Sequence, residues 1–388
     1  MWYHGNMNRK DFPMLCNQPD LVYLDSANTA LKPRVVVDAV REYYENYSAN
    51  IGRATYDLSE RATVAYESAR HKVARFIGVD DDEIVFTHSA THAVNYAAFG
   101  LRKFLRRGDV ILLTRYEHNS NIIAWQKIAT ETGAVIAYLD EDFDVDKVKI
   151  FAYTSVSNIT GEVFDHRKLV EKIRAHGGLV LVDATQGISR ATINVENCDF
   201  LVFSSHKMYG PSGVGVLFAR RNSSVELEPL VYGSQTFAEI SPTATKLLGD
   251  HTRYEPGTPN IEGVIGLGAA IDFLNQIGMA KIARHDRDLT RYARAKLNEN
   301  DLSQYLIGDP TVGVLSLNHP SIHPHDFAML LNQENIAVRA GMACSDILMQ
   351  KLGLNRGVVR ISFGIYTNKS DIDRFIDGYK NAIRRLHG

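Results

Sequence analysis

Lys207 stands in Phe203-Ser204-Ser205-His206-Lys207-Met208-Tyr209-Gly210-Pro211, between the apolar run 200–203 and a Gly-Pro turn. Burying an ammonium in such a place is costly unless it is paired or neutralised. An imine with a carbonyl cofactor neutralises it. Asp183, in Leu181-Val182-Asp183-Ala184-Thr185-Gln186, then gains a use. Pyridoxal phosphate needs both a lysine for its Schiff base and an acid beside its pyridine nitrogen. The other reading makes Lys207 a solvent-facing turn lysine and Asp183 an ordinary strand-end cap.

Further reactive residues lie elsewhere in the chain. Cys344 sits in Ala340-Gly341-Met342-Ala343-Cys344-Ser345-Asp346, before a helical pattern. A thiol in such a loop is a candidate nucleophile, or else a structural cysteine. Arg360 interrupts the apolar run 358–363. Its planar fork can clamp a carboxylate bidentately or enter a structural ion pair. Arg339, just before the cysteine loop, is a candidate for tuning that region or binding at its rim. His118 can lie over a planar ring and move protons, or simply bond within its loop. Ser89-Ala90-Thr91 opens a helix whose free donors either hold phosphate or are capped. His206, beside Lys207, is a second candidate phosphate contact. His118, His206 and His285 lack close ligand spacing, so no metal site is expected.

Thr91, His118, Asn158, Asp183 and Lys207 each fall where a strand pattern stops. Open α/β sheets place ligands beyond the carboxyl ends of their strands. The periodicity predicts strands over 83–87, 110–113, 134–139, 148–153, 179–183, 200–203 and 214–219, with helical patterns between them. A long helix over 280–297 leads to strands 313–317, 336–339 and 358–363 and a closing helix 369–386. Residues 233–250 read as a mobile or interface loop, and 220–224 as a polar turn. The expected fold is α/β: a large, mostly parallel-sheet domain over 25–277 and a smaller α/β domain from 1–24 and 278–388 that carries the cysteine loop.

At 388 residues the chain exceeds one typical core, and 45% apolar with 23% charged residues is a globular composition. Forty-three basic against 45 acidic residues give a net charge of -2, which recommends no nucleic-acid partner. No apolar run reaches membrane-spanning length and the start lacks a secretory core, so a cytoplasmic location is expected. Cys16, Cys198 and Cys344 are too dispersed for a disulfide framework or a zinc cluster.

From Tyr23-Leu24-Asp25 to the last helix the chain resembles the class V aminotransferases, specifically the cysteine desulfurases of the SufS-like, or group II, branch. Ser204-Ser205-His206-Lys207-Met208-Tyr209-Gly210-Pro211, Val182-Asp183-Ala184-Thr185-Gln186 and Arg339-Ala340-Gly341-Met342-Ala343-Cys344 carry the likeness. The resemblance implies the fold type I of pyridoxal-phosphate enzymes, with Lys207 as the Schiff-base lysine and Asp183 on the pyridine nitrogen. It also implies Gln186 near the phenolic oxygen, His118 stacked on the ring, and Thr91, Ser204 and His206 on the phosphate. Asn158 should flank cofactor and substrate, and Arg360 should hold the substrate carboxylate. Family members are homodimers, and Gly257-Thr258 resembles the segment that reaches the neighbouring subunit's phosphate.

The implied reaction takes L-cysteine to L-alanine through a persulfide on Cys344, and hands the sulfur to an acceptor protein. Several residues depart from the branch pattern: Gly52 and Tyr56 stand where it has histidines, Met342-Ala343-Cys344-Ser345 replaces His-His-Cys-Ala, and Ser205 replaces a glycine. A selenocysteine lyase, a cysteine-sulfinate-processing enzyme and a catalytically silent sulfur-transfer protein are the alternatives.

Overall fold

A computed structural model describes residues 8–52, 55–191, 193–221 and 225–387. Arg53 and Ala54 of the divergent pocket segment, and Asn222 to Ser224 of the polar turn, lie outside the described residues, as do residues 1–7 of the expected smaller domain.

Seven strands form the main sheet, in the spatial order Ile84–Thr87, Gly215–Ala219, Phe200–Ser204, Leu179–Asp183, Val148–Thr154, Val110–Leu113, Val135–Tyr138. Only Gly215–Ala219 runs against the rest, being antiparallel to both of its neighbours. The sheet is thus mostly parallel, as expected. Its central strands are apolar at nearly every position because helices cover both faces. Side chains alternate between those faces: Ile111, Leu113, Leu181 and Val202 enter one buried cluster, while Leu112, Val180, Val182, Leu201 and Phe203 enter another.

A four-stranded antiparallel sheet follows, ordered Leu306–Ile307, Val314–Leu317, Val358–Ser362, Arg339–Gly341. Helices Met279–Glu299, Pro324–Gln333 and Lys369–His387 pack on it around Leu289, Leu315, Phe327, Ile361 and Phe375. The expected strand 336–339 divides. Ile336–Ala337 pairs in parallel with Val22–Tyr23, whereas Arg339–Gly341 pairs with Val358–Ser362. The chain therefore changes partners just before the cysteine loop. Residues 233–250, expected as a loop, contain the exposed hairpin Phe237–Ile240 and Thr245–Leu247. Among the described residues no single helix is long and apolar enough to cross a membrane.

Candidate active site

The carboxyl ends of the parallel strands meet at a cleft of about 200 Å³ lined by Thr91, His118, Asn158, Asp183, Gln186, Ser204, His206 and Lys207. Lys207 ends a single 3₁₀ turn, Ser205–Lys207, immediately beyond the strand Phe200–Ser204. Asp183 ends the adjacent strand, paired with Thr154 on one side and Val202 on the other. Its Oδ1 accepts from the Thr185 N–H at 2.9 Å, which fixes the carboxylate at the cleft wall. Burial, reinforced by the Arg360 cation, lowers Lys207 to about 8; Asp183, Cys344 and Asp25 pull the other way. A substantial neutral fraction near pH 7 is what a Schiff-base lysine needs.

His118 follows the strand Val110–Leu113 through a short turn. The Ser120 N–H donates to its Nδ1 at 3.2 Å, so the neutral ring carries its proton on Nε2. Burial and the cations Lys207 and Arg360 hold the imidazolium below the ordinary histidine range, against Asp183. His206 is pulled to about 4 by burial, then by Lys207 and Lys32. Both rings are neutral near pH 7.

The start of helix Ala90–Gly100 forms one end of the cleft. Its Ala90 N–H is taken by Ser204 Oγ at 2.8 Å and its His92 N–H by Ser89 Oγ at 3.2 Å. Thr91 lies between them and supplies an N–H and a hydroxyl at a helix start, the donor set that suits phosphate. Because Ser204 Oγ accepts from Ala90, its own hydrogen is available to an anion. The helix comes this close because residue 215 is glycine: a Cβ there would stand 2.3 Å from the Ser89 carbonyl carbon. Ser205, the departure beside the lysine, is accommodated in the same way. A Cβ at Gly210 would meet Ser205 Oγ at 2.2 Å.

The small sheet supplies the opposite side. Buried Arg360 donates from Nη1 to Asn158 O at 2.9 Å, and Nη2 lies 3.5 Å from Asp25 Oδ1. Its Nε has no hydrogen-bond partner among the described residues. A buried guanidinium with donor capacity to spare has the chemistry to receive a carboxylate. Burial lowers Arg360 to about 10, with Asp25 opposing and Arg339 assisting. Asn158 donates from Nδ2 to Ala343 O at 2.9 Å and accepts at Oδ1 from Ser345 Oγ at 2.9 Å, so it brackets exposed Cys344.

Not every expected residue meets at this cleft within the chain. Arg360 and Cys344 stand beside the cleft lining rather than in it, tied to it through Asn158, and Arg339 lies one strand further out as Arg360's cross-strand partner. Gly257 has φ 80°, and Thr258 lines a separate pocket with Tyr66, His88, His92 and Asn260. Gln186 spends an amide hydrogen on Ala27 O at 2.8 Å. Met342, where the branch pattern has histidine, packs with Ile159, Leu348, Met349 and Val358.

Three contributors carried no role in the sequence reading. Glu117 is fully buried, and accepts from the Thr154 N–H at 2.9 Å, Asn121 Nδ2 at 2.7 Å and the Thr114 hydroxyl. Burial pushes it up to about 8, against those donors. An acid preceding a candidate histidine at a strand end was the available signal. Asp25 pairs with Arg360, and Lys32 donates to His206 O at 3.2 Å; only the folded chain brings these together.

A cleft with a neutralisable lysine facing an aspartate, bounded by a phosphate-type helix start and a guanidinium, defines a pyridoxal-phosphate enzyme. The aminotransferase class-V family model matches residues 22–375, and the chain belongs to that family. Within it, the chain is 39% identical to a probable cysteine desulfurase of Halalkalibacterium halodurans, over 96% of this chain and 97% of the relative. It is 34% identical to another from Pyrococcus abyssi, over 97% of each. The apo structure of a cysteine desulfurase from Thermococcus onnurineus superposes with TM-score 0.91 at 36% identity, covering 97% of both chains. The cysteine desulfurase CsdA of Escherichia coli, in its S-sulfonic acid form, gives TM-score 0.88 at 32% identity, over 97% of this chain and 98% of that one.

Proposed function

We propose that this chain is a pyridoxal-phosphate-dependent cysteine desulfurase of the group II branch, taking L-cysteine to L-alanine and holding the released sulfur as a persulfide on Cys344. The juxtaposition that carries this reading is Asn158 linking the Arg360 guanidinium to the Cys344 loop at the edge of the Lys207 cleft. An amino acid held by its carboxylate on Arg360 is thereby presented to an amine-handling group and to a thiol.

The residues suit the cofactor: Lys207 and Asp183 for its aldehyde and pyridine nitrogen, Gln186 for its phenolic oxygen, and Thr91, Ser204 and His206 for its phosphate. When bound, pyridoxal phosphate supplies an electron sink for charge developing at the substrate Cα. The protein does the rest. Arg360 fixes the carboxylate, His118 covers the ring face, and Lys207 Nζ, once released by substrate, takes the proton from Cα. Cys344 Sγ, as thiolate, attacks the substrate sulfur. An S–S bond forms, the Cβ–S bond breaks with its electron pair remaining on carbon, and that carbon is protonated on the way to alanine.

In this reading the protein is a cytoplasmic homodimer. Gly257 and Thr258 serve the neighbouring subunit's phosphate, Arg339 tunes Arg360 from the next strand, and an acceptor protein removes the sulfur. Residues 25–277 act as the cofactor domain, with 1–24 and 278–388 as the domain that presents Cys344. Borohydride reduction followed by mass spectrometry should find a pyridoxyl group on Lys207, and cysteine exposure should add one sulfur to Cys344. A holoprotein with neither modification does not work this way.

A further inference from the structure

Ala343 and Cys344 are consecutive non-glycine residues with φ of 46° and 57°. That left-handed region is sparsely populated by side-chain-bearing residues and persists only where the surroundings hold it. Asn158 holds the loop from one side. The other side is held by Asn119, the neighbour of His118. Its N–H donates to Cys344 O at 2.8 Å. Its Nδ2 donates to Asp346 Oδ2 at 2.6 Å, and its Oδ1 accepts from the Asp346 N–H at 3.1 Å. Asn119 and Asp346 thus grip each other reciprocally, one residue from His118 and two from Cys344. Neither lines the Lys207 cleft.

Resting on the desulfurase reading, we propose that Asn119 and Asp346 form a positioning clasp that aims Cys344 Sγ at the substrate sulfur. Displacement at sulfur requires the attacking thiolate in line with the breaking Cβ–S bond, and the φ of Cys344 sets the direction of its side chain. A bond between an amide and a carboxylate is charge-assisted and directional, so it can hold an unfavourable backbone in place. The clasp serves the thiol-dependent half of the reaction. Lys207, Asp183 and Arg360 are untouched by it, so capture of cofactor and of the substrate carboxylate does not depend on it.

Holoenzymes carrying Asp346→Ala, Asn119→Asp, and the reciprocal swap Asn119→Asp with Asp346→Asn test this. Asn119→Asp sets two carboxylates against each other, whereas the swap restores one donor and one acceptor with the original net charge. Single-turnover persulfide formation on Cys344, followed by mass spectrometry, should fall about 10–100-fold in both single variants, the usual penalty for a misaimed reacting group. The swap should restore most of the loss. With cysteine, kcat should fall while KM holds. Alanine release from cysteine sulfinate should stay at the wild-type rate, because sulfur dioxide leaves with no thiolate acceptor, and borohydride labelling of Lys207 should be unchanged. A parallel loss of sulfinate turnover, or wild-type persulfide rates in the single variants, would overturn the clasp alone. A wild-type enzyme that forms no persulfide on Cys344 would sink the desulfurase reading and the clasp with it.

Discussion

Two side chains, one in the cleft and one beside it, owe their usefulness to the cost of burying charge. Lys207, lowered to about 8, is roughly one-tenth neutral at pH 7, whereas an ordinary lysine is neutral in only about 0.03% of molecules. A neutral amine attacks carbonyls and an ammonium does not. Capture of pyridoxal phosphate by the cofactor-stripped protein should therefore accelerate about tenfold per pH unit below 8 and level off above it. Acetylation of Lys207 by acetic anhydride, read by mass spectrometry, should follow the same curve. A rise continuing to pH 10 would mean the lysine is not buried as the fold places it. Arg360 is the second case. Replacing it with glutamine removes the charged fork while Asn158 keeps its grip on the cysteine loop. KM for cysteine should rise by about 100-fold, with the Lys207 borohydride adduct intact. A fall in kcat at unchanged KM would place Arg360 outside carboxylate binding.

The loop leaving Val110–Leu113 shows how an element presents a side chain it does not itself contain. Glu117 joins that loop to the Val148–Thr154 strand through the Thr154 N–H and to helix Ser120–Thr132 through Asn121, whose Oδ1 accepts from Trp125 Nε1 at 3.1 Å. Held up to about 8, the acid is largely protonated at pH 7, yet one oxygen still accepts from the Thr154 N–H and the other from the Asn121 amide. Glu117→Gln keeps a single carbonyl oxygen, so its NH2 must face one of those donors, leaving a buried donor unsatisfied at a cost of about 1–3 kcal/mol. The urea midpoint should fall accordingly and His118 should lose its fixed pose; an unchanged midpoint would show that the network is not strained by the amide. Much of this scale was legible beforehand. Lys207, Asp183, Asn158 and His118 follow strand patterns, and the geometry of an open parallel sheet gathers such residues without further information. What could not be read was partnership across sequence distance. Nothing near Ile336 announces that the strand changes partners before Arg339, since two short apolar pieces in succession look like one. Likewise Asn119 and Asp346 are ordinary polar residues until the two sheets bring them within hydrogen-bonding reach.

Lys207 follows the large sheet and Cys344 is presented by the small one, so their separation is a property of how the two are joined. A buried ion pair forms part of that joint. Arg190, after the Leu179–Asp183 strand, meets Asp286 on the long helix Met279–Glu299. Arg190 also donates to Phe363 O at 3.0 Å, and Asp286 Oδ2 accepts from the Gly313 N–H at 2.8 Å. Their side chains are 7% and 9% exposed, so neither charge can fall back on solvent. Removing one partner strands the other, at a cost of about 3–5 kcal/mol. Asp286→Ala should thus lower the urea midpoint far more than loss of an exposed pair such as Arg41 with Asp38. Its functional signature should also be uneven. On the desulfurase reading, borohydride labelling of Lys207 and cofactor retention through Asp183 would use residues of one sheet and should persist, while persulfide formation on Cys344 would depend on both sheets and should slow by about tenfold or more. Asp286→Asn, which keeps an acceptor for Gly313, should fall between. Equal losses of labelling and persulfide would mean that the pair supports the cofactor sheet itself, and that the distance between lysine and thiol is set elsewhere in the molecule.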